Sequence, residues 1–101
     1  MTTTRFTIYC GTDTNGHDVD GRQLAYDLAA DLFPNGHSIR EEQGRWQGEV
    51  GTIDEATVVV TWISDAPDAR ATAINFCSAY KDMAWQESVM MLSDTVDADF
   101  I

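Results

Sequence analysis

The chain has 101 residues, with 17 Asp plus Glu against 6 Lys plus Arg and a formal charge of -11 at pH 7. At 44% hydrophobic and 23% charged residues it is too apolar for a disordered chain and too short for two independent cores, so residues 1–101 read as one domain. The acidic balance excludes general binding to nucleic acid or to anionic membranes, both of which need clustered Lys and Arg.

No signal-type apolar region follows Met1, and no run approaches the ~18 apolar residues of a membrane span. The expected location is the cytoplasm. Phe6, Ile8 and Cys10 alternate with Thr7 and Tyr9, which predicts a half-buried first strand over 5–10. The turn formers of 11–21 follow. Asp20 then reads as an N-cap, with Gln23 in the capping-box position, ahead of Leu24, Leu28 and Leu32, and predicts a helix over 21–33. Pro34-Asn35-Gly36 ends it. Residues 37–43 and 45–50 read as two polar strands flanking Gly44, with Ile39 and Trp46 as apolar anchors, forming an exposed hairpin or a sheet edge.

Thr57 to Ile63 is β-branched and apolar on both faces, as a central strand should be. Asp65 is the expected cap of a second helix over 66–80, with Pro67 in its first turn. Its apolar stripe runs through Ala66, Ala69, Ala73, Phe76 and Tyr80, widened by Ile74 and Cys77. A last strand over 87–92 precedes an acidic tail from Asp94. The fold class that follows is α+β, a ferredoxin-like split βαβ with two helices on one face of an antiparallel sheet. That fold by itself carries no function.

Several segments carry a resemblance. Gly36-x-Ser38-Ile39, Gly44-x-Trp46-x-Gly48, Ile53-x-Glu55, Thr57-x-Val59-Val60 and Gln86-Glu87-Ser88-Val89, with the terminal Phe100-Ile101, resemble small phage-borne and bacterial families of unassigned function. The resemblance implies a ferredoxin-like fold and an origin on a mobile element. It transfers no catalytic residues.

The loop from Asp13 to Gly21 alternates oxygen ligands at Asp13 and Asn15, but a calcium loop starting there needs Gly at position 18 and Glu at position 24, which are Asp and Leu. His17 and His37 make no helical metal pair, and Cys10 and Cys77 form no C-x-x-C. No metal or cofactor is therefore expected. Cys10 on the inward side of its strand reads as a core thiol, and no catalytic residue is assigned.

Charge position is more telling. Asp20, Asp27 and Asp31 fall on one ridge of the first helix, and Asp13, Asp18, Glu41 and Glu42 extend the acidic field. Arg45 and Trp46 add residue types favoured as interface anchors. These nine residues form the expected partner-binding set. The leading reading is a non-enzymatic acidic inhibitor, phage-borne and of the DNA-mimic or anti-CRISPR type. Its partner would be a basic host protein such as a nucleic-acid enzyme or CRISPR effector, met in the host cytoplasm, with a homodimer allowed. The alternative is a ferredoxin-like small-molecule-binding or enzyme domain with its site on the open sheet face beside Trp46. A halophilic or GC-rich source would explain the acidity without any partner.

Overall fold

The computed structural model describes residues 2–101. The elements run β1 (Thr2–Gly11), α1 (Gly21–Leu32), β2 (Ser38–Gly48), β3 (Gly51–Ser64), α2 (Ala69–Met83) and β4 (Met90–Asp97). The four strands form one antiparallel sheet in the order β2-β3-β1-β4. This is the ferredoxin-like arrangement.

The period of two in β1 sorts its side chains. Phe6, Ile8 and Cys10 are buried with Val58 and Val60 of β3 under the helices, whereas Arg5, Thr7 and Tyr9 lie on the other, open face. Between sheet and helices, Phe33 stacks on Trp62 at 4.4 Å and on Phe76 at 5.2 Å between ring centroids. Each such buried ring contributes about 1.5–3 kcal/mol of transfer free energy. Ala25, Ala29, Ala69 and Ala73 are buried where helices meet the sheet. Their small side chains set a close approach.

Several sequence-based boundaries need correction. Gly44 is not a turn: it lies mid-strand opposite Glu55, and the reversal is the two-residue link Glu49-Val50, where Gly51 takes φ 127°. Residues 38–48 are thus one continuous strand at the sheet edge, and the role of Gly44 in it is steric. A Cβ there would stand 2.6 Å from Trp46 Nε1 and would collide with Thr57 Oγ1.

Helix α2 starts at Ala69 rather than 66. Ala66-Pro67-Asp68 is spent on a turn closed by Ala69 N–H to the Ala66 carbonyl (3.1 Å), and Asp68, not Asp65, holds the N-cap position. The helix continues past Tyr80 to Met83, and Ile74 is exposed rather than part of the buried stripe.

The last strand is Met90–Asp97 rather than 87–92. Its partner β1 fixes the register from Tyr9 opposite Met90 to Thr2 opposite Asp97. As an edge strand with polar exposed positions it carries little hydrophobic pattern. Part of the expected acidic tail is thus strand, and Arg5 grips Asp94 through two hydrogen bonds of 3.1 and 2.6 Å.

Strands β2 and β3 run on beyond the end of β1. The β1–β3 ladder stops at Gly11 opposite Thr57, while β2–β3 pairing continues to Gly48 opposite Gly51. Residues 43–56 therefore project as a two-stranded ribbon, and the molecule is 44 Å in its longest dimension. Among the described residues no helix is long and apolar enough to cross a membrane.

Candidate functional site

At the end of the sheet where β1 stops, four segments meet around a cleft. The end of β1 supplies Tyr9 and Gly11, and the loop after it Asp13 and Asn15. The ribbon supplies Trp46, Gln47, Gly48, Ile53 and Glu55, and the α2–β4 connection with the start of β4 supplies Gln86 to Ser88 and Met90. The cleft holds about 560 Å³ of non-protein space, its open mouth included.

Glu55 is the side chain at its centre. It projects from β3 across Gly11, where a Cβ would fall inside its carboxylate and would also stand 3.0 Å from Gln86 Oε1. Glycine at that position leaves room for both side chains, and a Cβ there would push the Glu55 carboxylate aside. Glu55 Oε2 accepts the Asp13 N–H at 2.5 Å. Gln86 Nε2 in turn donates to the Asp13 carbonyl at 2.6 Å and to the Ala84 carbonyl at 3.2 Å. The three segments are thereby tied to one another around the carboxylate.

Burial pushes the Glu55 carboxyl above the ordinary carboxylate range. The Asp13 N–H opposes this by favouring the ionised form, and the Asp13 carboxylate adds to the rise. A half-buried carboxyl of this kind can hold a proton or answer a positive charge on a ligand.

The walls are held from outside. Tyr80 on α2 sends its hydroxyl through the core to the Gly11 carbonyl at 2.6 Å, with a second acceptor, the Gly21 carbonyl, at 3.4 Å. Trp85 takes φ 57° to turn the chain out of α2, and its ring stacks on His17 at 3.7 Å and 6°. Asn15 Nδ2 donates to the Trp85 carbonyl at 2.5 Å. At the ribbon tip the Glu49 N–H donates to Glu87 Oε1 at 3.3 Å. Trp46 rests over Gly44 and meets Tyr9 edge to face at 6.3 Å. Its Nε1 is buried and has no hydrogen-bond partner among the described residues.

The residues of the expected partner set are spread over several surfaces. Asp20 caps α1 by accepting the Gln23 N–H at 3.1 Å, and Asp27 and Asp31 stand exposed further along the same helix. The Gln23 side chain does not return to the cap but donates to Asp27 at 2.9 Å. Glu41 sits on the helix side of β2, held by Arg22 at 2.7 Å and by the Tyr26 hydroxyl at 3.2 Å, and these contacts lower its pKa. Glu42 and Trp46 occupy the opposite face, with Glu42 paired to Arg40 at 3.2 Å. Arg45 is bound by Asp54 at 2.6 Å. Asp18 is exposed in the loop after β1, and Asp13 lines the cleft. Cys10 lies buried among core residues, and burial, with Cys77 adding to it, pushes its thiol well above the usual thiol range, which leaves it a poor nucleophile.

Among the cleft residues, Glu55, Gln86 and Glu87 were not singled out from charge or chemistry, and their only signal was the Ile-x-Glu and Gln-Glu-Ser segments, which converge here with Gly-x-Trp-x-Gly from distant parts of the chain. Gly11 read only as the first of the turn formers.

Over residues 5–100 the sequence matches the family model described as "Protein of unknown function (DUF3574)". The chain belongs to the DUF3574 family. No curated protein matches it in sequence. Among solved structures, this DUF3574 chain is similar to a phage SAM lyase in complex with S-methyl-5'-thioadenosine, with a TM-score of 0.73 and 13% identity, covering 98% of this chain and 92% of that one. It is also similar to a DUF3240 family protein from Shewanella baltica, with a TM-score of 0.63, 11% identity and coverage of 100% and 98%. A third similar structure is CutA from Synechococcus elongatus complexed with Bis-Tris, with a TM-score of 0.59, 12% identity and coverage of 96% and 86%. At these identities the shared property is the fold.

Proposed function

We propose that this DUF3574 protein is a small-molecule-binding domain, of the enzyme or ligand-sensor kind, whose site is the cleft around Glu55. The carrying observation is the cleft itself. Four chain segments meet around one half-buried carboxylate, which accepts the Asp13 N–H beside Tyr9 and Trp46, while the Tyr80 hydroxyl anchors the neighbouring Gly11 carbonyl. The fold likeness to a SAM lyase that holds S-methyl-5'-thioadenosine supports a ligand with a flat heteroaromatic part and a short aliphatic arm.

S-methyl-5'-thioadenosine is therefore the first probe. Its titration into the full chain should shift the backbone amides of Gly11, Asp13, Gly48 and Ile53 saturably and change Trp46 fluorescence. The same titration of Gly11→Ala should leave them unmoved. Absence of any saturable change with this nucleoside and with S-adenosylmethionine would count against the reading.

The acidic-inhibitor reading is retained as second for one observation: Asp27 and Asp31 are exposed on α1, with no basic side chain paired to either among the described residues. Asp27→Lys with Asp31→Lys should then abolish capture of a basic host protein, whereas Glu87→Lys with Asp94→Lys, an equal change in charge, should not. Equal loss from both pairs would mark the attraction as nonspecific.

A further inference from the structure

We propose that the ligand of the Glu55 cleft is an organic cation, an ammonium or similar group carried on a flat apolar body that lies against Tyr9 and Trp46. The inference rests on the reading of the cleft as a ligand site and adds the charge of what enters it. Asp13, Glu55 and Glu87 line the cleft, and no Lys, Arg or His does.

Four of the chain's six Lys and Arg residues are paired elsewhere. Arg5 pairs with Asp94, Arg22 with Glu41, Arg40 with Glu42 and Arg45 with Asp54. Among the described residues none pairs with the three cleft carboxylates. Arg45 is instructive, because it sits beside Trp46 in sequence yet strand alternation sends it to the opposite face of the ribbon.

An anionic ligand would meet three like charges in a partly desolvated space. A neutral one would bury Glu55 further without answering its charge. A cation resolves both conditions, since it would pair with Glu55 and the two neighbouring carboxylates could add to the attraction. The electron-rich faces of Tyr9 and Trp46 favour the same sign of charge. Ile53 and Met90 complete an apolar lining for the uncharged part of the molecule.

The test compares three aryl compounds of one shape and different charge: tyramine, which is cationic, tyrosol, which is neutral, and 4-hydroxyphenylacetate, which is anionic. Each is titrated into the full-length protein at about 0.15 M salt, where long-range attraction to the acidic surface is screened, and amide shifts are read at Gly11, Asp13, Gly48 and Ile53. Tyramine should bind at least about tenfold tighter than tyrosol, and the anion should not bind. Glu55→Gln should reduce that preference to about threefold or less. Asp27→Asn with Asp31→Asn, which removes more charge from a surface outside the cleft, should leave it intact. If Glu55→Gln does not fold, Glu87→Gln, an exposed position, takes its place.

Equal binding of tyramine and tyrosol, or preference for the anion, would overturn the cation assignment while leaving a small-molecule site standing. Equal loss of preference in the control pair would also overturn the assignment. Failure of all three compounds and of the nucleoside to move these amides would overturn both readings.

Discussion

At the residue scale the site depends on atoms that are missing as much as on those present. Gly11 gives Glu55 and Gln86 room, and Gly44 gives Trp46 its bed. Gly44→Ala should therefore lift the indole off the strand, and the tryptophan emission of the variant should shift to the red with little loss of helical circular dichroism. Tyr80 carries the opposite kind of dependence. Tyr80→Phe keeps the ring but strands the buried Gly11 carbonyl, and urea unfolding should report a loss of about 1–3 kcal/mol. Glu55 should couple stability to pH. Because its pKa is raised in the folded chain, the folded state holds the proton more tightly than the unfolded state in the window just above the ordinary Glu value. Stability from this group is thus greatest below that window and falls as pH rises through it. Glu55→Gln should raise the melting temperature at neutral pH and flatten that part of the pH profile. A variant with unchanged melting at both pH 4 and pH 7 would show that Glu55 is not strained by burial.

At the scale of elements, the two helices offer a matched comparison. Asp20 makes a side-chain cap bond and Asp68 makes none. Asp20→Ala should cost about 1 kcal/mol in chemical denaturation and Asp68→Ala much less. The same contrast shows what the sequence could disclose. Asp20 with Gln23 ahead of a leucine period fixed the start of α1, and the Val58 to Val60 run marked the strand buried on both faces, because burial imposes pattern. Strand β4 escaped because an exposed edge imposes none beyond the first few residues. The ribbon escaped for another reason: Gly44 is a glycine of packing, and it read as a break between two strands. The cleft was legible as the open sheet face beside Trp46, the alternative site, and as a set of unexplained motifs, but not as a meeting of particular residues. No spacing rule brings Gly11, Glu55 and Gln86 together, since their meeting depends on strand order and on where β1 ends.

At the scale of the whole molecule the charges are unevenly resolved. The four arginine pairs are all exposed and each contributes no more than about 1 kcal/mol. A net charge of -11 on 101 residues leaves the compact state under self-repulsion. Moderate sodium chloride should consequently raise the melting temperature through screening, even though it weakens the same ion pairs. A fall in melting temperature on adding salt would mean that the paired arginines outweigh the repulsion. The hydrogen bond from Tyr80 to Gly11 spans 69 residues of sequence, and strand β1 has β4 as one of its two neighbours. Such pairings are slow to find, because the chain loses loop entropy before any contact rewards it. The cleft depends on both of these long-range pairings. The first eighty residues include α1 and the ribbon but not Gln86 to Met90, which form one wall of the cleft. Under the proposed reading, a bound ligand would clasp segments from opposite ends of the chain, Tyr9 to Asn15 on one side and Gln86 to Met90 on the other, and so would add to the stability of the long-range pairings.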